Sequence, residues 1–271
     1  MLIYGSMFLT VYGAVLSFIL GAIMGSFLNC TASRLVHGES IVKGRSHCTD
    51  CGHVLGPADL VPIFSYIFLK GKCRYCGKKM SPRYLISEIV SALVFVGIFL
   101  RYGAMEGALT LRLAEMLFLF SMLLCISFCD MEDFTIPDRL ILITIAGRVV
   151  FLGIRFFTDR AECISLLLPS LIGGFSVSLP LLAVVLIYEK IKNTEAMGGG
   201  DFKLLFAIGV YFPWNINLFG FIAACVLGIV FAVLASKKKG EAFPFGPAIS
   251  AGAWIAALCG AELVDAYMRL F

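Results

Sequence analysis

Long apolar runs separated by short polar breaks make up most of this chain, and the runs are of membrane length. A helical span needs about 20 apolar residues, and the pattern predicts spans near 7–29, 85–100, 111–129, 137–154, 164–188, 202–213, 216–235 and 247–264. The sixth is the shortest, with about a dozen apolar residues before Pro213, which suits a partial or re-entrant helix packed against protein. One long polar stretch, 31–83, interrupts the pattern after the first span. The expected fold is an all-α polytopic membrane protein of about eight transmembrane helices with a small loop domain after the first. Its parts are a first helix at 1–30, the loop domain at 31–83 and a membrane core at 84–271.

Composition strengthens this picture. Hydrophobic residues make up 60% of the chain and charged residues 15%, with a mean hydropathy of +0.94. Soluble domains average about 45–50% apolar and about 25% charged, so an ordinary soluble domain is excluded. The N-terminus has no basic stretch and no small-residue cleavage site follows its apolar run, so the first span is expected to be retained rather than removed.

Charge sets the orientation. Nine Lys and Arg residues lie in 31–83, which predicts a cytoplasmic loop. Alternating from there, the loops near 130–138, 189–201 and 236–246 also fall inside and, with the adjoining Arg139 and Lys203, add Lys190, Lys192, Lys237, Lys238 and Lys239, for sixteen of the twenty-two basic residues. Arg101, Arg112, Arg155, Arg160 and Arg269 fall outside, and Arg148 lies within a span. Both termini are therefore expected outside. Topology and anionic lipid account for the basic loop, so the lipid bilayer is an expected partner and nucleic acid is not.

The ten cysteines form two populations. Cys30, Cys125, Cys129, Cys163, Cys225 and Cys259 lie in or beside apolar spans, where cysteine packs as a small hydrophobe. The other four form two knuckles in the polar loop, Cys48-Thr-Asp-Cys51-Gly and Cys73-Arg-Tyr-Cys76-Gly, separated by twenty-one residues. This spacing lets four thiolates gather a tetrahedral Zn²⁺, and each trailing glycine permits a tight turn. Disulfides or redox pairs are the competing reading, which a reducing cytoplasm disfavours. Four cysteine ligands leave no open position for a catalytic water, so the expected zinc is structural. His47 and His53 flank the first knuckle as alternative ligands or surface residues.

Acids at the edge of spans are costly and are functional candidates by default. Asp130 follows an apolar helix, at the C-terminal end where the helix dipole disfavours negative charge. An interfacial acid marking the helix end is the alternative. Thr135 and Pro137 suit the cap and first turn of the next helix, where Asp138 would complement the dipole. Asp201 stands behind Gly198, Gly199 and Gly200 at the start of the short sixth span. The glycines permit positive φ and close backbone approach, and Asp201 could equally be a helix cap. The predicted topology sets Asp130 and Asp201 at one membrane face. Two carboxyl groups brought together share a proton, so one can activate water while the other polarises a carbonyl.

Several motifs occur together in order: Gly25-Ser-Phe-Leu-Asn29, the paired knuckles, Pro82-Arg-Tyr84 followed by Glu88, the Asp130–Pro137 segment and Met197-Gly-Gly-Gly-Asp-Phe-Lys203. Over nearly the whole chain they resemble the bacterial type IV prepilin peptidases. The resemblance implies a G-x-G-D membrane aspartic protease fold shared in outline with archaeal preflagellin peptidases and presenilins. It implies Asp130 and Asp201 as the catalytic pair and Pro244-Phe-Gly-Pro247 as a segment lining the site. It also implies a multi-pass enzyme of the bacterial cytoplasmic membrane that removes the basic leader of a prepilin, pseudopilin or competence pilin, cutting after Gly on the cytoplasmic side.

Many members then methylate the new N-terminus with S-adenosylmethionine, and the cysteine loop accompanies that second activity. No Rossmann fingerprint marks an S-adenosylmethionine site; Gly71, Lys72 and Glu88 are candidates, with a turn, a solvated lysine and a helix-terminal charge as the alternatives. The glycines 198–200 are expected to let an extended substrate lie against backbone. One departure is the small polar run Asn29-Cys-Thr-Ala-Ser-Arg34, where aliphatic residues are expected. Competing readings are a peptidase without methyltransferase activity, an ion transporter using Asp130, Asp201 and Arg148, and a non-enzymatic zinc-binding assembly scaffold.

Overall fold

A computed structural model of the protein describes residues 7–104, 110–192, 198–235 and 244–270. The first six residues, Met197 and the lysines at 237–239 lie outside the described residues. Among the described residues the chain forms nine α-helices and no strand. They are α1 (Met7–Val36), α2 (Phe64–Phe68), α3 (Arg83–Ile98), α4 (Leu111–Asp133), α5 (Asp138–Thr158), α6 (Arg160–Lys192), α7 (Gly199–Gly209), α8 (Trp214–Ala235) and α9 (Gly246–Met268). A π-helical turn, Phe99–Ala104, extends α3. All but α2 and α7 are long and apolar enough to cross a membrane, which makes seven such helices among the described residues. The expected short sixth span is α7, whose eleven residues reach only about 16 Å and cannot cross a bilayer alone.

The chain divides into two compact units, Met1–Leu117 and Phe118–Phe271, with the boundary inside α4. In the first unit α1 and α3 pack antiparallel through Gly21 and Gly25, spaced as a small-xxx-small pair. A Cβ on Gly21 would lie 2.7 Å from the Ala92 Cα, and one on Gly25 2.7 Å from the Ser91 hydroxyl. Only glycine lets the backbones come this close.

In the second unit α5 and α7 run in the same direction. Lys203 meets Asp138 near their starts, and Tyr211 just beyond α7 meets Thr144. α6 runs the opposite way, with Ser170 beside Arg148 and Cys163 beside the Leu152 carbonyl. α8 and α9 are antiparallel, Gly220 against Ala256 and Gly228 against Phe245. The last turn of α4 and the starts of α5, α7 and α9 therefore gather at one end. α7 leads the chain away from that end and α8 returns it, so within this unit the expected alternation survives although α7 is short.

Several polar groups inside this unit pair with one another, which lowers the cost of removing them from water. Arg148 is buried, donates to the Ser170 hydroxyl at 2.7 Å and stands over the Tyr211 ring at 5.5 Å. The Tyr211 hydroxyl donates to the Thr144 carbonyl at 2.7 Å. Asn217 donates to the Gly173 carbonyl at 2.9 Å. Arg148 thus joins α5 to α6 and to the turn after α7, a packing role that leaves the ion-path reading without its cation.

A Cβ on Gly173 would overlap the carbonyl oxygens of Gly209 and Phe212. Gly173→Leu should therefore force α6 and α7 apart, a backbone overlap costing about 3 kcal/mol, well above the roughly 1 kcal/mol gained in helix propensity. We expect a lower thermal unfolding midpoint in detergent for Gly173→Leu. Gly153→Leu, where no atom lies within 4 Å, should leave the midpoint in place or raise it; equal midpoints for the two variants would refute this packing.

Candidate active site

Asp130 lies in the last turn of α4, which runs one turn further than expected, to Asp133. The helix ends where Phe134 takes φ +53 and its N–H returns to the Asp130 carbonyl at 3.0 Å. Asp130 is 5% exposed, and its Oδ2 accepts the Gly246 N–H at 2.8 Å. Gly246 is the first residue of α9. The acid that the dipole of its own helix disfavours is thus met by a free amide at the N-terminus of another. A Cβ on Gly246 would stand 2.8 Å from the same oxygen. One turn earlier, the Ser127 and Ser250 hydroxyls lie 2.8 Å apart and join α4 to α9 again.

Asp201 is the third residue of α7, with Gly198 in the cap position, so it is a first-turn acid rather than the cap. It is half-buried. The start of α7 is anchored to the α4–α5 link twice. A Cβ on Gly200 would lie 2.9 Å from that of Ile136, and Lys203 pairs with both Asp138 oxygens at 2.7 and 2.9 Å. The structure therefore sets Asp130 and Asp201 at the same end of the second unit, with Gly198–Gly200 beside Asp201. Two carboxyl groups within reach of one water can share a proton and handle that water between them.

Some expectations need correction. None of Gly198, Gly199 and Gly200 has positive φ; what glycine provides there is close approach at Gly200 and open space at Gly199, where a Cβ would meet nothing within 4 Å. Pro137, not Thr135, occupies the cap position of α5, and the Thr135 hydroxyl turns toward Asp133. Asp138 does begin α5 as expected, but its pairing with Lys203 was missed. The available signal was one acid and one lysine near the starts of two helices expected to begin at the same membrane face. An apolar groove of about 360 Å³ between α5, α6 and α7 is lined by Phe202, Lys203 and Phe206. At about 100° per residue, these lie across α7 from Asp201, so the groove is separate from the acid pair.

In the first unit the four knuckle sulfurs, Cys48, Cys51, Cys73 and Cys76, lie within 4.8 Å of one another. The Cys48 and Cys76 sulfurs are 3.9 Å apart, close to the roughly 3.8 Å edge of a tetrahedron with Zn–S bonds of about 2.3 Å. The donors fit zinc. The two knuckles repeat each other: the Gly52 N–H donates to the Cys48 carbonyl and the Gly77 N–H to that of Cys73, with φ +70 and +72 at the glycines. Those turns are the tight ones the trailing glycines were expected to make.

Backbone N–H groups of Cys51 and Asp50 hold the Cys48 thiol down to about 7, toward the thiolate that a metal needs. The Lys78 N–H draws the Cys76 thiol the same way, but burial and the three neighbouring sulfurs outweigh it and leave it at about 11. His53 stacks on Tyr75 at 3.6 Å and His47 lies by the Arg45 carbonyl, both outside the cluster. Gly71 is a turn glycine with φ +66 and Lys72 is exposed. Glu88 is buried and accepts the Ile63 N–H at 2.7 Å, so it is not a solvated helix-end charge.

Comparison with known proteins agrees with this division. Residues 19–102 match the bacterial peptidase A24 N-terminal domain, and residues 117–233 match the type IV leader peptidase family. A prepilin leader peptidase/N-methyltransferase of Pseudomonas putida is 30% identical, covering 96% of this chain and 95% of the relative. The protein of that name from Bacillus subtilis (strain 168) is 31% identical over 93% and 97%, and that from Dichelobacter nodosus 32% over 80% and 72%. No solved structure matches the chain. With relatives of 30% identity or more spanning nearly their whole length, this multi-pass membrane protein belongs to the type IV leader peptidase family.

Proposed function

We propose that the protein is a membrane aspartic endopeptidase that removes the leader of a prepilin or pseudopilin on the cytoplasmic side and methylates the new N-terminus. The observation that supports this reading is the placement of both acids at one end of the second unit, Asp130 in the last turn of α4 under the Gly246 N–H and Asp201 in the first turn of α7. In this mechanism one acid, ionised, takes a proton from water as its oxygen attacks the scissile carbonyl carbon. The other, protonated, donates to the carbonyl oxygen. The tetrahedral intermediate collapses as the C–N bond breaks: the departing amine takes the proton that the first acid holds, and a hydroxyl of the intermediate returns its proton to the second acid as the carboxyl group forms.

Substrate would approach past Gly199, where no side chain intervenes, with its apolar segment remaining in the bilayer. Sixteen of twenty-two basic residues on one side support a cytoplasmic site. The relatives' names couple cleavage with N-methylation, for which S-adenosylmethionine supplies the methyl group. Cys48, Cys51, Cys73 and Cys76 would hold a structural zinc that folds the loop between α1 and α3.

Mass spectrometry of a candidate prepilin incubated with the purified protein and S-adenosylmethionine reads both activities. We expect a mass lowered by the leader and raised by one methyl group. Unchanged mass across a panel of prepilins would contradict the peptidase reading, and leader loss without a methyl increment would leave it as peptidase alone. For the metal, we expect about one zinc per chain in the parent and nearly none in Cys73→Ser after dialysis against a chelator, since structural sites bind through all four ligands. Full zinc retention by Cys73→Ser would overturn the assignment.

A further inference from the structure

α2 lies in the polar loop, yet Phe64, Ile67 and Phe68 are 60%, 58% and 79% exposed, and Leu60 and Val61 just before it are 43% and 45% exposed. Five apolar side chains presented within nine residues are out of place on a domain bathed in water. The segment is not loosely held. On its other face the Tyr66 hydroxyl donates to the Met80 carbonyl at 3.3 Å, and Gly71 packs under the Tyr66 ring. α2 is thus fixed in place with its apolar side turned outward.

Its height is fixed too. The Ile63 N–H, just before α2, donates to the buried Glu88 carboxylate at 2.7 Å. Glu88 is the sixth residue of α3, about 7 Å along that helix. Met80, the partner of Tyr66, stands just before α3 begins at Arg83. The two tethers hold α2 beside the first turns of a membrane-crossing helix, the level at which hydrocarbon gives way to headgroups. Ile63 takes φ +65 there, a costly conformation for a β-branched residue, which the tethers maintain. Exposed Ile86 and Ile89 continue the apolar surface along α3, and exposed Lys70 and Lys72 follow α2. Aromatic side chains flanked by lysines suit an anionic lipid interface.

We infer that α2 is an interfacial helix whose Phe64, Ile67 and Phe68 enter the boundary between headgroups and acyl chains beside α3, so that the bilayer is the partner of the knuckle domain. The inference rests on α3 crossing the membrane and is independent of the peptidase reading.

The test uses the full chain with Trp214 and Trp254 replaced by Phe and a single tryptophan introduced as Phe68→Trp, in vesicles of phosphatidylglycerol and phosphatidylcholine. Bromine high on the acyl chains should lower its emission, since an interfacial helix buries its apolar face about 5–10 Å into the headgroup/acyl boundary, while iodide in the buffer leaves it unchanged. Ile67→Trp should behave alike, with zinc content at the parent's level showing the loop folded in both. Quenching by iodide without quenching by bromine would place the helix in water and overturn the inference. Shielding from both would mean that a protein surface covers it, and would overturn it as well.

Discussion

The hydrogen bond from the Gly246 amide to Asp130, 2.8 Å long, connects two helix ends that each carry an unmet electrostatic demand. α4 ends in an acid where its own carbonyls already concentrate negative charge, and α9 begins with amides that have no partner inside their helix. Neither end is comfortable alone at the edge of a bilayer, where water is scarce. Joined, each meets the other's need, and Asp130 is left buried but positioned. That position gives meaning to the second acid, because Asp201 reaches the same end only if α7 starts there.

Small residues and internal polar pairs make that start possible. Gly173 and Gly209 let α7 lie backbone to backbone against α6. Arg148, Ser170, Tyr211 and Thr144 hold the far end, while Lys203 and Asp138 hold the near one. α7 therefore needs no bilayer-spanning length: its place is set by neighbours rather than by hydrophobic match, which is the condition under which a short helix is tolerated at membrane depth.

Hydropathy made most of the helices legible, because a span must be apolar along its length whatever it packs against. The cysteine knuckles were legible for a related reason: ligand identity and turn geometry are local, and Gly52 and Gly77 adopt the left-handed turns that C-x-x-C-G requires. Long-range pairing was less legible. Nothing near Asp130 in sequence announces that its partner is an amide 116 residues later, and Lys203 looked like a topology charge until Asp138 was found beside it. At Gly198–Gly200 positive φ was expected, but the φ values are ordinary, and what glycine provides is close approach at Gly200 and open space at Gly199. Asp201 was legible as an acid in a costly place, and the motifs around it suggested the partner role proposed for it.

The central claim is that Asp130 and Asp201 act as one unit. Single-turnover leader cleavage by Asp130→Asn, Asp201→Asn and the double variant, each with the parent's zinc and helix content, tests it most directly. The account predicts that each single variant loses about a thousandfold or more and that the double variant loses little beyond either one, as for groups that share one function. Normal cleavage by either single variant, or losses that multiply in the double, would contradict it.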